Sequence, residues 1–358
     1  MKKNIFAIIL IVYTSISFSQ FNNTFDKKEA INMAAISNYW INGMIEGMDS
    51  TFTDPEYKLV FQSKIYKMKN EWQLLEKGND AIVIHLRGTA RESVSWFANF
   101  YAAMIPAQGE MLLPDSQKVK YKFAEDPRAA VHVGWAMGIE FMISDILKKI
   151  KEYNDKGIYN IYITGHSQGG ALSHLLRAAF EYLPDSILSK KNRFKVYTIA
   201  SPKPGNRFLA YDYATYTTLK NPSFSIINNS DWVPMLPFSV QSTDNLPEIN
   251  PFKSLKNNEF DMSLIKRVVV KHMFNSLVKP IDKSQKRLMK TLGKDMRKKI
   301  EDKLGEFDVP NTVKDFAYFP MGLQVVLKPM KGKSEDKLVN LFWQHLPAHY
   351  MYLIEEQL

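Results

Sequence analysis

The chain has 358 residues, 45% of them hydrophobic and 13% aromatic, with a formal net charge of +10 and no cysteine. That composition is that of an ordinary globular protein long enough to bury a large core. The missing cysteines exclude disulfides, a thiol nucleophile and lipid attachment at cysteine, and they argue against a zinc site.

Residues 1–20 stand apart. Lys2 and Lys3 precede an apolar run from Ile5 to Ile16, and Ser17-Phe18-Ser19 supplies a small-x-small pattern. This is the pattern of a cleaved signal peptide, with cleavage expected after Ser19 or Gln20. The run is too short to span a bilayer, and no other long apolar run follows. The expectation is an exported protein, periplasmic or secreted, without a transmembrane segment after cleavage. Residues 21–358 then read as one domain.

Apolar residues from Lys27 to Met48 recur at helical spacing (Ala30, Ile31, Met33, Ala34, Ile36, Tyr39). Lys58 to Trp72 mixes apolar and basic residues without a clear period. Glu71 to Leu75 reads as a strand, Lys77-Gly78-Asn79-Asp80 as a turn, and Ala81 to Leu86 as a buried central strand ending at Arg87-Gly88-Thr89. Ser95 to Leu113 is mainly apolar and admits two readings. It is either a core helix or a lid whose aromatic face, Trp96, Phe97, Phe100 and Tyr101, covers a site. Val131-His132-Val133-Gly134-Trp135 then introduces an amphipathic helix to about Lys156.

The stretch Tyr162-Ile163-Thr164-Gly165-His166-Ser167-Gln168-Gly169-Gly170 organises the rest. A β-prone run leads through Gly-x-Ser-x-Gly directly into a helical pattern, the context of a nucleophile elbow. A turn that sharp needs small residues two places either side of Ser167, and Gly165 and Gly169 supply them. His166 completes the turn, and the Gln168 N–H lies at a helix N-terminus, where it can meet a developing oxyanion. Strands follow at Phe194 to Ala200 and Ser223 to Asn228. The strand–helix alternation over 80–230 predicts an α/β fold with a largely parallel, helix-covered sheet.

Ser167 needs a base, and the base an acid. With an elbow of this kind the chain order is Ser, then acid, then His. That order sets aside His85, His132 and His166; His174 reads as a packed or surface residue and His272 as solvated. His345 and His349 remain, and the position of His349 in Pro347-Ala348-His349-Tyr350, ahead of a final apolar element, favours it as the base. Asp231, after a strand and held by Trp232-Val233-Pro234, leads Asp244 and Asp261 as the acid.

Beyond Pro251 the character changes. Between Asp261 and Gly305 there are 13 Lys or Arg against 5 Asp or Glu. The span of about 250–335 reads as a basic insertion with a strand at Leu323 to Lys328. Such a segment fits an anionic surface, phospholipid headgroups or polysaccharide, better than nucleic acid, although a solvated basic helix accounts for it equally.

Taken together and in order, Ile84 to Thr89, Trp96, Val131 to Trp135, Gly165 to Gly170, Tyr197-Thr198-Ile199-Ala200-Ser201-Pro202, Asp231 to Pro234 and Ala348-His349-Tyr350 resemble the class 3 lipase family, the fungal-lipase-like α/β hydrolases. The resemblance spans about residues 70–240 and the C-terminal end. It implies Ser167 as nucleophile, Asp231 as acid and His349 as base, with the Thr89 N–H and hydroxyl and the Gln168 N–H as oxyanion donors. Asn99 stands where the family commonly has an aspartate, and Gln168 replaces the more usual leucine.

The expected function is hydrolysis of carboxylic esters, lipid acyl esters foremost, through an acyl-enzyme and without metal or cofactor. A phospholipase of the A type and a short-chain or feruloyl esterase fit the same residues. A non-catalytic membrane- or glycan-binding protein on a hydrolase scaffold is the competing class.

Overall fold

Alternation within the central strands decides how the chain layers. In β3 (Ala81–Leu86) and β8 (Asn160–His166), Ile82, Ile84, Leu86, Ile161 and Ile163 face one core, while Ala81, Val83 and Tyr162 face another. Burial on both faces gives a sheet sandwiched between helices. The computed structural model describes residues 21–41, 54–246, 250, 254, 257 and 263–358. The expected signal peptide, the stretch beyond Ile41 of the first helix and Asp261 lie outside the described residues, as does the side chain of Asp244.

In chain order the elements begin with α1 (Lys27–Ile41), β1 (Tyr57–Gln62), β2 (Trp72–Lys77), β3, α2 (Ser93–Phe100), β4 (Met104–Pro106), β5 (Gln108–Leu113), β6 (Gln117–Lys122) and β7 (Ala130–His132). They continue through α3 (Val133–Asn154), β8, α4 (Gln168–Glu181), β9 (Arg193–Ile199), β10 (Gly205–Asn206), α5 (Arg207–Thr217) and β11 (Ser223–Asn228). The C-terminal third holds α6 (Leu264–Met289), α7 (Met296–Leu304), β12 (Tyr318–Phe319), β13 (Leu323–Leu327), α8 (Lys337–Leu341) and α9 (Pro347–Gln357).

The central sheet has the order β1-β2-β3-β8-β9-β11-β13. β3, β8, β9, β11 and β13 run parallel, and β1 and β2 add an antiparallel edge. One core layer lies between this sheet and α3 and α4; the other lies between it and α1 and α9. A four-stranded sheet, β12-β10-β7-β4, and the β5-β6 hairpin complete the fold. This is the α/β architecture expected from the strand–helix alternation.

Two expectations change. Ser95 to Leu113 is neither one helix nor one lid: α2 ends at Phe100, and β4 and β5 follow. Tyr101 is buried in the main core against Phe307, so it is not a lid residue, whereas Trp96 and Phe100 are exposed and Phe97 is half-buried. The span 250–335 is also more than an insertion. β13 pairs in parallel with β11 over five residues as the last strand of the central sheet, and β12 pairs with β10. A strand of that length bonded to the sheet that carries the site belongs to the domain itself.

Candidate active site

At the end of β8 the backbone of Ser167 takes φ 58° and ψ −128°, and α4 begins at the next residue. A left-handed φ at a serine costs on the order of 1–3 kcal/mol and persists only where the surroundings impose it. They do. A Cβ at Gly165 would stand 2.4 Å from the Gly169 backbone, and one at Gly169 would stand 2.1 Å from the Leu86 carbonyl oxygen. The Ser167 N–H donates to the Ile199 oxygen at 2.9 Å, which fixes the turn to the neighbouring strand.

The loop after β3 passes directly over the elbow: a Cβ at Gly88 would lie 2.9 Å from the His166 oxygen and 3.7 Å from Ser167 Cβ. Arg87 anchors this loop by an ion pair with buried Glu71 and a bond to the Lys69 carbonyl oxygen. The next residue along is Thr89, whose Oγ1 lies 2.9 Å from Asn99 Nδ2. Asn99 Oδ1 accepts from Trp135 Nε1 at 3.0 Å and from Gln168 Nε2 at 2.7 Å. An indole N–H can only donate, so the Asn99 oxygen is the atom on the Trp135 side and its amide nitrogen faces Thr89. Thr89 Oγ1 therefore accepts from Asn99, and the hydroxyl's own hydrogen stays available to another acceptor. The two residues expected as oxyanion donors, Thr89 and Gln168, are thus tied together by one side chain.

His132 holds the backbone of Asn99. Its Nε2 donates to the Asn99 carbonyl oxygen at 3.1 Å, and its ring stacks on Trp135 with 3.7 Å between centroids. Burial pushes the His132 imidazole down to about 3, so it stays neutral, and its Nδ1 accepts the Trp135 N–H at 3.4 Å, which leaves the proton on Nε2.

The base expected from sequence is not where Asp231 is. Asp231 follows β11 and is buried; its Oδ2 lies 2.7 Å from His345 Nδ1, not from His349. His349 points its Nδ1 at the Trp343 carbonyl oxygen, 2.5 Å away, and packs edge-on against the Trp343 ring. The reason is Pro347. It sits at the first position of α9, where a missing N–H costs nothing, so Ala348 and His349 are already helical. His345 is the residue on the turn ahead of the helix, and Leu346 before the proline is extended. Pro347 itself was the signal for this.

Three further contacts hold that turn. Asn228 Nδ2 donates to Gln344 Oε1 at 2.6 Å, and Trp232 Nε1 donates to the Leu341 oxygen at 3.1 Å. From the elbow, His166 Nε2 donates to the His345 carbonyl oxygen at 2.7 Å, with 4.4 Å between the two rings. Burial, with the neighbouring His345 adding to it, holds the His166 imidazole far below its ordinary range. The elbow histidine is thus a neutral strut between Ser167 and the turn that carries His345.

Asp231 is fully engaged. Oδ1 accepts the Val233 N–H at 3.0 Å, and Oδ2 accepts the Tyr350 hydroxyl at 2.9 Å besides the imidazole. Tyr350 in turn accepts the Asn228 N–H. Sequence reasoning saw Tyr350 only as part of a motif. With Nδ1–H committed to the carboxylate, the His345 Nε2 carries the lone pair, as a general base requires. Among the described residues no group of three acidic or histidine side chains is arranged to hold a metal ion.

Comparison with known proteins bears on this arrangement. Residues 83–241 match the family model of Lipase (class 3). The span contains Thr89, Asn99, Ser167 and Asp231; His345 lies beyond it. A lipase of Caenorhabditis elegans is 36% identical over 89 residues, covering 25% of this chain and 24% of the relative. The chain therefore aligns with about a quarter of that relative. Two solved fungal structures are similar over 59% of this chain. Lipase II from Rhizopus niveus shows 23% identity and a TM-score of 0.42 over 75% of its chain. The native Rhizomucor miehei lipase propeptide complex shows 19% and 0.40 over 63%.

Proposed function

We propose that this chain is an exported serine hydrolase that cleaves carboxylic esters, lipid acyl esters first among them. The observation that carries the reading is the Asp231–His345 bond of 2.7 Å beside a serine at φ 58°. Ser167 Oγ attacks the acyl carbonyl carbon while His345 Nε2 takes its proton, and Asp231 stabilises the imidazolium. The tetrahedral oxyanion receives the N–H groups of Gln168 and Thr89 and the Thr89 hydroxyl. His345 then protonates the departing alcohol, and a water deprotonated by the same imidazole releases the acid.

The family match and the exposed Trp96 and Phe100 beside the oxyanion loop support a lipid substrate of the triacylglycerol type. Export rests on the pattern of residues 1–20. Hydrolysis of p-nitrophenyl butyrate and palmitate by the parent and by Ser167→Ala tests the reading. The variant is expected to lose about a thousandfold or more, and preference for palmitate distinguishes a lipase from a short-chain esterase. Equal rates for parent and variant on both esters leave a binding protein on a hydrolase scaffold.

A further inference from the structure

Helix α6 has two different apolar sides. Val270, Phe274, Val278 and Ile281 are half-buried along one side, and Gln285 on that side is buried, its Nε2 donating to the Val240 oxygen at 3.1 Å. Further along, Leu288, Met289 and Leu292 pack with Met104, Ala130, Phe316 and Tyr318, and Leu292 accepts the Ala103 N–H. The C-terminal half of the helix is therefore fixed to the domain. On the outward side of the N-terminal half, Ile265, Val268, Val269, Met273 and Leu277 recur at helical spacing, and their exposure runs from 53% at Val269 to 79% at Ile265. Five aliphatic or thioether side chains bare on one helix face need a partner.

Charge decides which partner. Helix α6 carries seven Lys or Arg side chains and one acid, Asp282. The exposed side continues around Pro280 as Lys279, Lys283, Lys286 and Arg287. The bare half thus carries the aliphatic chains together with Lys266, Arg267 and Lys271, and the docked half carries the other four cations. A second copy pairing through this face would set one row of cations against another. Nucleic acid would find bare aliphatic chains with no aromatic ring among them to stack on a base. An anionic lipid surface satisfies both halves, with aliphatic side chains entering the headgroup–acyl boundary and cations meeting phosphates.

We propose that α6 docks this protein on membranes containing anionic phospholipid. The helix lies outside the span that matches the lipase family, so this surface is a property of the chain beyond that span. The helix also runs through a π-helical stretch, Lys290–Asp295, into α7, against which α2 packs, with Lys299 Nζ 5.6 Å from the Phe97 ring centroid.

The test is binding without hydrolysis, so it stands or falls apart from the esterase reading. Ser167→Ala protein recovered from an exporting host is sedimented with vesicles of phosphatidylcholine, alone or mixed with phosphatidylglycerol. Binding to the anionic vesicles is expected to be at least about tenfold tighter and to fall steeply between about 50 mM and about 500 mM salt. Lys279→Glu with Lys283→Glu and Lys286→Glu should weaken it by about tenfold to hundredfold. Val269→Ser with Met273→Ser and Leu277→Ser should weaken it at every salt concentration. Circular dichroism and thermal melting matching the parent show that the variants fold, and these residues are exposed. Equal binding to both vesicle types, no binding, or variants that bind like the parent would overturn the proposal. So would a dimer that the serine set dissociates while vesicle binding is unchanged.

Discussion

Asn99 shows how much a single amide can organise. It accepts from Trp135 and Gln168 and donates to Thr89, so it links the elbow, the oxyanion loop and α3. Asn99→Ala should leave Thr89 free to rotate. The expected cost is about tenfold to hundredfold in kcat with little change in KM, because the bond acts on a donor used in the transition state. Steady-state kinetics on p-nitrophenyl butyrate read this directly; a change confined to KM would assign Asn99 to substrate binding instead. At this scale the sequence was informative where chemistry imposes local spacing. Gly165, Ser167 and Gly169 follow from the geometry of one turn. Asp231 follows from its place after a strand. The amide network does not, since Asn99, Trp135 and Gln168 are distant in sequence and meet only when α2, α3 and α4 pack. Of two histidines four residues apart, the structure sets His345 rather than the expected His349 against Asp231, and the proline between them carried the signal.

Among the elements, α1 is held to the sheet by more than its apolar face. Glu29 bonds Lys195, Tyr197 and Tyr162, all side chains of β8 and β9. The Lys195 side chain has no exposure and Glu29 has little. A buried pair adds little over an apolar one, but breaking it strands a charge. Glu29→Ala is expected to destabilise the fold by about 3–5 kcal/mol, while Glu29→Ala with Lys195→Met should recover most of that loss. Denaturant unfolding measures both, and equal losses in the single and double variants would contradict the account. The apolar period predicted α1 from Ala30, Met33, Ala34 and Ile36, all of which are buried, yet nothing local foretold a lysine on the buried sheet face. β13 was likewise legible as a strand and not as the edge of the central sheet, because parallel pairing across more than ninety residues leaves no trace in short-range pattern.

For the whole molecule, four buried histidines set the response to acid. Burial pushes His85, His132 and His174 down to about 3, and His166 moves the same way. Each is neutral in the folded state and takes a proton near pH 6.5 once unfolded, so stability is lost as pH falls below 6.5. At pH 5 the cost is about 2 kcal/mol for each of the first three. Glu140 acts in the opposite sense: burial raises it to about 8, so it favours the fold at acid pH and costs stability as pH rises from 4.5 to 8. The histidines outnumber it, so the net effect of acid is to destabilise the fold. Cooperative unfolding between about pH 6 and pH 4 is therefore expected by circular dichroism; a fold unchanged at pH 4 would contradict the buried, neutral assignment. The central claim is more local: Ser167 is activated by His345 and Asp231 on an α/β-hydrolase fold. Its most direct test is the rate of labelling by an alkyl fluorophosphonate, with the adduct located by mass spectrometry. One adduct on Ser167 is expected, absent in Ser167→Ala, about a thousandfold slower in His345→Gln and nearly unchanged in His349→Gln. Labelling that survives His345→Gln and is lost in His349→Gln would contradict the account.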